Sequence, residues 1–216
     1  SVSAIAYYIY SCANVNTFIT CTGKVMAAKL GHWNKGLLAT MTDPKEILHS
    51  DDDVVIIKDK YPKAKYHFLV LPRRQIKNLE SVTKDDLDLL RHMQKHGEAI
   101  AEIADKDLQF RIGYHAVPSM SHLHMHVISQ DFNSPCLKTK KHWNSFTTNY
   151  FIQSDTFIKN IEKSGHCKAD VEEMNRLLKQ ELRCHVCHQV FNNIPLLKAH
   201  IVLHDVTKSA HIPRHS

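Results

Sequence analysis

The chain has 216 residues, of which 43% are hydrophobic and 23% charged, proportions that are typical of a soluble globular protein. Its six cysteines do not form a disulfide framework, because two have zinc-ligand spacing and four are scattered, so we predict a reduced intracellular protein. The net charge is +6, and residues 137–216 carry 12 lysines and arginines against 7 acidic residues. This excess favours a polyanionic partner, with a merely solvated basic surface as the alternative.

The first 28 residues yield no assignment. Residues 1–22 are mildly apolar and rich in Ser, Thr and Asn, but they lack a basic stretch and an unbroken apolar run. We therefore predict neither a signal peptide nor a membrane-spanning helix, and no membrane partner.

Further along the chain, strand patterns flank one long helix. Val54–Ile57 and Tyr66–Leu71 are apolar runs bounded by turn residues and predict two strands. Thr83–Lys106 has apolar residues at helical spacing behind a capping Thr and an acidic first turn. Gln109–His115 predicts another strand. Strands on both sides of a segregated helix favour an α+β fold.

Three histidines occupy alternate positions in Ser121–Gln130. Strict alternation predicts that His122, His124 and His126 share one face of a strand, opposite an apolar face. Neutral imidazole attacks phosphorus and protonated imidazole binds phosphate, so neighbouring histidines can divide these roles. A structural role and a metal site are the alternatives, although no carboxylate lies within several residues along the sequence.

A zinc finger is predicted near the C-terminus. Cys184 and Cys187 precede His200 and His204 with the spacing of a Cys2His2 finger, and Phe191 and Leu197 would form its miniature core. So small a unit needs its ion to fold. We predict these four residues as ligands of structural zinc. His185 and His188 lie off the ligand spacing, and we expect them at the surface.

The histidine segment and its surroundings resemble a known family. His122-Leu123-His124-Met125-His126-Val127-Ile128 resembles the signature of histidine triad nucleotide hydrolases and transferases, and three flanking segments are similar to aprataxins. These are Gly113-Tyr114-His115-Ala116-Val117-Pro118-Ser119-Met120-Ser121, Asp131-Phe132-Asn133-Ser134-Pro135-Cys136-Leu137 and residues 58–72. The resemblance implies a histidine triad fold with an antiparallel sheet and flanking helices, followed by the finger.

The resemblance also implies roles for individual residues. His124 would be the nucleophile, His122 and His126 would orient it and contact phosphate, and His67 would be a further active-site histidine. Asp59 would hold the ribose hydroxyls. Three further contacts to phosphate or the leaving group are expected from His115, Ser119 and Lys63. Chemistry of this kind depends on positioning and charge stabilisation, so we expect no catalytic metal.

Nucleic-acid contacts are expected at two places. The segment from Gly31 to Leu37 resembles the part of aprataxins that presses against an exposed base pair, and Trp33 or Leu37 would be the wedge. Basic side chains would contact phosphate; these are Lys65, Lys138, Lys140, Lys141 and Lys198.

The resemblance implies a DNA 5′-adenylate hydrolase that removes AMP left by abortive ligation, acting in the nucleus on nicked or double-stranded DNA. Adenylated RNA–DNA junctions, 3′-guanylate caps and contacts with repair proteins are further expectations. A general hydrolase of free dinucleotides or AMP-amidates and a non-catalytic DNA-binding repair scaffold are the alternatives.

We divide the chain into five parts on this basis. They are an unassigned segment (1–28), a catalytic domain (29–135), a basic connector with a helix (136–182), the finger (183–206) and a tail (207–216).

Overall fold

The computed structural model describes residue 37, residues 40–204 and residues 206–207. Six strands form one antiparallel sheet in the order β1-β2-β3-β5-β4-β6. They are β1 (Ile47–Ser50), β2 (Val54–Lys58), β3 (His67–Pro72), β4 (Phe110–His115), β5 (Met125–Ser129) and β6 (Phe151–Gln153). The expected α+β fold with an antiparallel sheet is confirmed.

The long helix α1 (Leu87–Ala104) covers one face of the sheet, together with α3 (Ser154–Ser164). Its buried residues recur every three or four positions, from Leu90 through Met93 to Ile100, because the apolar stripe of an amphipathic helix follows its 3.6-residue period. The start of the helix is fixed by a short 3-10 turn, Lys84–Asp86, whose Asp86 carboxylate accepts the backbone N–H of Thr83 at 2.8 Å.

The opposite face is covered by C-terminal elements. The helices α2 (Lys140–Thr147) and α4 (Val171–Lys179) lead to a hairpin of β7 (Leu182–Arg183) and β8 (Val190–Phe191) and then to α5 (Ile194–Ile201). Pro195 lies in the first turn of α5 behind the capping Asn193, whose side chain accepts the N–H of Leu196. The strands β7 and β8 form the hairpin of the finger, and α5 forms its helix.

The sheet continues past residue 135, where the sequence predicted that the catalytic domain ends. The edge strand β6 pairs with β4 in the register Gly113–Gln153, Tyr114–Ile152 and His115–Phe151. Residues 136–182 therefore do not form a separate connector, since they include a strand of the sheet and the helices that pack on its two faces. Only three residues of β6 are paired, which is too short a run to be recognised from alternation.

No helix in the described part of the chain is both long and apolar enough to cross a membrane.

Gly113 allows β4 and β6 to approach closely, and this generates a prediction. A methyl group at Gly113 would collide with the backbone carbonyl of Ile152, whereas one at Gly97 would mainly meet the end of the Met125 side chain at 2.8 Å. We expect Gly113→Ala to lower the free energy of unfolding by about 1–3 kcal/mol through overpacking. Gly97→Ala should lower the free energy of unfolding by less, because the Met125 side chain can move and because alanine favours the helix over glycine by about 1 kcal/mol. Urea unfolding of both variants tests this, and equal losses would contradict it.

Candidate active site

Four histidines meet on the sheet face that is turned away from α1. His67 lies on β3, His115 ends β4, and His126 lies on β5, with His124 just before that strand. The ring of His126 lies 4.4 Å from that of His115, 5.1 Å from His124 and 5.2 Å from His67, measured between centroids. His67, His124 and His126 are each less than 5% exposed. The structure thus gathers His67, His115, His124 and His126 into one buried cluster.

His122 is placed differently from the prediction. β5 begins only at Met125, so His122 and His124 precede the strand, and His122 has a φ of 83°. This left-handed conformation is unusual for a residue other than glycine. The segment is held by backbone hydrogen bonds from His122 and Leu123 to Lys77 and Ile76. Alternation therefore predicted the shared location of the histidines but not the backbone that produces it.

Hydrogen bonds to backbone carbonyls set the tautomers of two histidines. The Nδ1 atom of His124 lies 2.9 Å from the carbonyl oxygen of His122, and Nε2 of His122 lies 2.8 Å from that of Pro72. Since a carbonyl can only accept, the ring nitrogen must donate in each pair. A neutral His124 then carries its lone pair on Nε2, the atom that is available for nucleophilic attack.

A second chain of hydrogen bonds sets the tautomer of His126. The backbone N–H of Lys63 donates to Nδ1 of His67 at 3.1 Å, so a neutral His67 has its proton on Nε2. That atom lies 3.0 Å from Nδ1 of His126, which must accept and thereby leaves the proton of His126 on Nε2. Nε2 of His126 and Nε2 of His115 are buried without a hydrogen-bond partner among the described residues. Unpartnered buried polar atoms are rare, and these two suit a ligand with oxygen acceptors or donors.

Burial keeps these rings uncharged. It lowers the pKa of His67 to about 4, despite the opposing effect of Asp59, and it lowers the pKa of His124. The pKa values of His115 and His126 lie well below the usual range for the same reason, and the neighbouring histidines lower them further. Desolvation disfavours the charged form of each ring, so the cluster is neutral at pH 7.

Charged side chains surround the cluster. A carboxylate oxygen of Asp59 lies 3.6 Å from Nε2 of His67. Lys63 is close enough to lower the pKa of His67, His115 and His126, and Lys141 acts on His115. The carboxylate that a metal site would need is thus supplied from the turn after β2, and Asp59, His67 and His126 form a possible ligand group. A metal remains an alternative occupant of the cluster.

The other predicted contact residues are spread more widely. Ser119 is exposed on the loop between β4 and His122, and Lys138, Lys140 and Lys141 are exposed at the start of α2. Trp33 lies outside the described residues.

Three predicted DNA contacts are engaged elsewhere in this structure. Leu37 is buried in an apolar cluster against β2 and β3, so it is not a wedge at the surface. Lys65 pairs with Asp105, 3.6 Å away at the end of α1, on the opposite side of the sheet from the histidines. The ammonium group of Lys198 donates to the carbonyl oxygen of Ser134 at 2.7 Å and so fastens the finger to the sheet domain.

The predicted zinc ligands come together in the finger. The potential ligand atoms of Cys184, Cys187, His200 and His204 all lie within 4.8 Å of one another. Two thiolates on a hairpin and two imidazoles one turn apart on a helix suit tetrahedral zinc. The donor set therefore fits the ion that the sequence predicted.

The finger shares a core with the active-site face of the sheet. Leu182, Ile194 and Leu197 of the finger belong to one buried cluster with Ile128 and Phe146. The indole N–H of Trp143 donates to the carbonyl of Arg183 at 2.9 Å.

His185 contradicts its predicted position at the surface. It is 5% exposed, packs against Phe132 and Trp143, and places Nε2 3.0 Å from the carbonyl oxygen of Gln130. The other off-spacing histidine, His188, is exposed as expected.

Phe146 is a site residue that the sequence interpretation missed. Its ring contacts those of His67, His115 and His126, with centroid distances of 5.2, 4.5 and 5.3 Å. It lies on α2 three residues after the buried Trp143, and this helical spacing was the available signal.

Comparisons with known proteins agree with this architecture. Residues 32–142 match the family described as scavenger mRNA decapping enzyme C-term binding, and residues 147–205 match the C2HE / C2H2 / C2HC zinc-binding finger. Aprataxin of Danio rerio is 53% identical over 177 residues, 81% of this chain and 54% of that protein. An aprataxin-like protein of Saccharomyces cerevisiae is 34% identical, over 79% of this chain and 95% of that protein.

A solved structure is similar as well. The crystal structure of aprataxin ortholog Hnt3 in complex with DNA has a TM-score of 0.64 and 26% identity, covering 79% of this chain and 93% of that chain. The present chain spans about half the length of the vertebrate relatives that it matches. A fold, a histidine cluster and a finger that all agree with these relatives lead to one conclusion: the chain belongs to the aprataxin family of histidine triad proteins.

Proposed function

We propose that this protein is a DNA 5′-adenylate hydrolase that works through a covalent histidine–AMP intermediate. The observation that carries the proposal is the neutral His124, whose Nδ1 is bonded to a carbonyl so that Nε2 holds the lone pair. Beside it lie buried nitrogens of His115 and His126, which have no hydrogen-bond partner within the described part of the chain. A nucleophile next to groups that can bind phosphate oxygens suits phosphoryl transfer.

In the first step, Nε2 of His124 attacks the α-phosphorus of the pyrophosphate that links AMP to the DNA 5′ end. A phosphorus–nitrogen bond forms, the bond to the bridging oxygen breaks, and DNA leaves with a 5′-phosphate. In the second step, water attacks the same phosphorus and loses a proton to solvent, the phosphorus–nitrogen bond breaks, AMP is released and His124 regains its lone pair. The leaving phosphate has a second pKa of about 6, so it needs little help from an acid.

The surrounding residues have distinct roles in this proposal. The Nε2 proton of His126 and the lysines Lys63 and Lys141 would stabilise charge on the phosphate oxygens. His122 and His67 are positioning residues, because they act through the tautomers of His124 and His126. Asp59 would bind the ribose, with Ser119 and His115 as further phosphate contacts. The proposed chemistry uses no metal, and zinc would serve only to fold the finger.

Surface charge and a relative's structure support nucleic acid as the substrate. Lys140 and Lys141 occupy the first turn of α2, which has no acidic residue, although cations are unfavourable at the positive end of a helix. An anion such as a DNA phosphate, bound at this end of the helix, would offset the repulsion between the two lysines and the helix dipole. The similar Hnt3 protein was crystallised with DNA. Adenylated RNA–DNA junctions, 3′-guanylate caps, repair-protein partners and a nuclear location belong to the same proposal.

The first test replaces the nucleophile. We expect His124→Ala to lower the rate of AMP release from a nicked duplex with a 5′-adenylate by roughly a thousandfold or more, with DNA affinity unchanged. The assay contains EDTA, with zinc content checked afterwards, and diadenosine polyphosphate as the competing substrate. His166→Ala, a change at an exposed histidine outside the cluster, is the matched control.

Several outcomes of that assay would contradict the proposal. Full activity of His124→Ala would exclude the nucleophile, and loss of wild-type activity in EDTA with the finger zinc retained would indicate a catalytic metal. Preference for the free dinucleotide would favour a general nucleotide hydrolase. Activity on neither substrate would favour a DNA-binding scaffold.

The second test concerns the basic start of α2. Each lysine that contacts a phosphate contributes about 0.9 to the slope of log K against log salt, so Lys140→Ala/Lys141→Ala should lower that slope by roughly 2. Lys159→Ala, on the exposed surface of α3, should leave it unchanged. Measurements of binding to a nicked duplex at several salt concentrations give the slope for each variant. Equal slopes for the two variants would exclude Lys140 and Lys141 as phosphate contacts.

The third test concerns pH. Because the folded pKa of His67 is about 4 and the unfolded value is about 6.5, the unfolded chain binds more protons between these values and stability falls as pH falls. Protonation of His67 alone should remove roughly 3 kcal/mol between pH 7 and pH 4. His67→Asn should have a shallower dependence. Urea unfolding at each pH measures this, and parallel curves would show that His67 is not neutral in the folded protein.

A further inference from the structure

A second group of histidines lies outside the proposed active site. His49 is on the edge strand β1, Asp51 is in the turn to β2, and His92 and His96 are on α1. Nε2 of His92 lies 2.8 Å, and Nε2 of His96 3.0 Å, from the same carboxylate oxygen of Asp51. Potential ligand atoms of His49, Asp51 and His96 all lie within 4.8 Å of one another. Three groups with metal-binding atoms thus lie close together, and His92 meets them at the Asp51 oxygen.

The fold brings these groups together from elements that are distant in sequence. His49 pairs with Ile56, whose side chain belongs to the core beneath α1, so His49 lies on the side of the sheet that α1 covers. His92 and His96 are four residues apart and therefore share one face of the helix. Their rings lie 4.5 Å apart, and the ring of His49 stacks on His96 at 5.1 Å.

Asp51 is fixed in position by its own turn. One oxygen of its carboxylate accepts the backbone N–H groups of Asp53 and Val54, at 2.9 and 2.7 Å, and the other oxygen faces His92 and His96. The carboxylate is therefore held in one orientation and presents one fixed oxygen to the histidines.

We propose that His49, Asp51 and His96 bind a divalent transition-metal ion, for which zinc is the best fit, and that His92 turns its ring to become the fourth ligand. Zinc accepts neutral imidazole and carboxylate ligands in tetrahedral geometry with bonds of about 2.0–2.2 Å, which places ligand atoms roughly 3.3 Å apart. The separations of 2.8 and 3.0 Å at the Asp51 oxygen are close to this value. Side-chain exposures of 36% for His92, 19% for His96 and 31% for Asp51 leave a path for the ion and room for the rings to turn.

The site would join the edge of the sheet to the helix that covers it. Asp51 and His92 are 41 residues apart, so the ion would act as a cross-link between the β1–β2 hairpin and α1. Unlike the finger, this site has no thiolate, so we expect it to hold zinc less tightly and to exchange it.

The test is a zinc titration of the full chain after the finger has been loaded and excess metal removed by dialysis. Competition with a chromophoric chelator should show one further exchangeable zinc ion per chain. His96→Gln should weaken that binding by at least roughly tenfold, since loss of even an outer-shell partner weakens metal binding about 10–100-fold. His166→Gln is the matched control, and the tightly held finger zinc should be unchanged in both variants.

Two further measurements separate a lost ligand from a misfolded variant. His49→Gln, on the edge strand, should show the same loss as His96→Gln, and both should match the wild-type circular dichroism without added zinc. Added zinc should raise the Tm of the wild type and of His166→Gln only. A wild-type chain that binds only the finger zinc would overturn the proposal. So would a second zinc ion that both His96→Gln and His49→Gln retain.

Discussion

The active-site face depends on keeping four imidazole rings uncharged and out of water. An imidazole that is buried without charge needs a defined tautomer, because each nitrogen is then either a donor or an acceptor. Backbone carbonyl oxygens fix the tautomers of His122 and His124. The backbone N–H of Lys63 fixes the tautomer of His67, and the Nε2 proton of His67 in turn fixes that of His126. The backbone of the sheet and its loops thus decides where the lone pairs of the cluster point.

This constraint explains why the finger belongs to the same folded unit. The histidine face is covered by Phe146 and its neighbours on α2, and α2 is held in turn by the finger through Trp143 and the shared apolar core. A zinc ion in the finger would then act on the active site from a distance, since it would stabilise the cover that keeps water from the rings. The lowered pKa values of the histidines depend on that cover.

Much of this architecture could be predicted from the sequence, because hydrophobic periodicity and ligand spacing are local signals. The strands at Val54 and His67, the helix α1 and the finger all lie where the pattern placed them. The burial of Leu37 and of His185 and the ion pair of Lys65 with Asp105 were not predicted, because the environment of each residue comes from distant segments. An apolar side chain, a lysine or a histidine has the same local pattern whether its partner is solvent, DNA or the protein core.

The same distinction applies to the two histidine groups. The spacing of His122, His124 and His126 drew attention to the active site, whereas His49, His92 and His96 come from a strand and a helix with no motif between them. Asp51 connects these two elements only in the folded chain. Likewise, Asp59 reaches His67 across a turn, which is why the sequence around the triad showed no carboxylate.

The irregular backbone at His122 follows from what His124 requires. In a regular strand, the carbonyl groups lie in the plane of the sheet and bond to neighbouring strands, so they cannot accept from a side chain that stands perpendicular to it. The left-handed conformation of His122 takes its carbonyl out of that pattern and turns it to Nδ1 of His124. Such a conformation costs on the order of 1–3 kcal/mol, which the buried hydrogen bonds of the segment offset. Strict alternation through the triad would have left Nδ1 of His124 without this acceptor, and its nucleophilic tautomer unspecified.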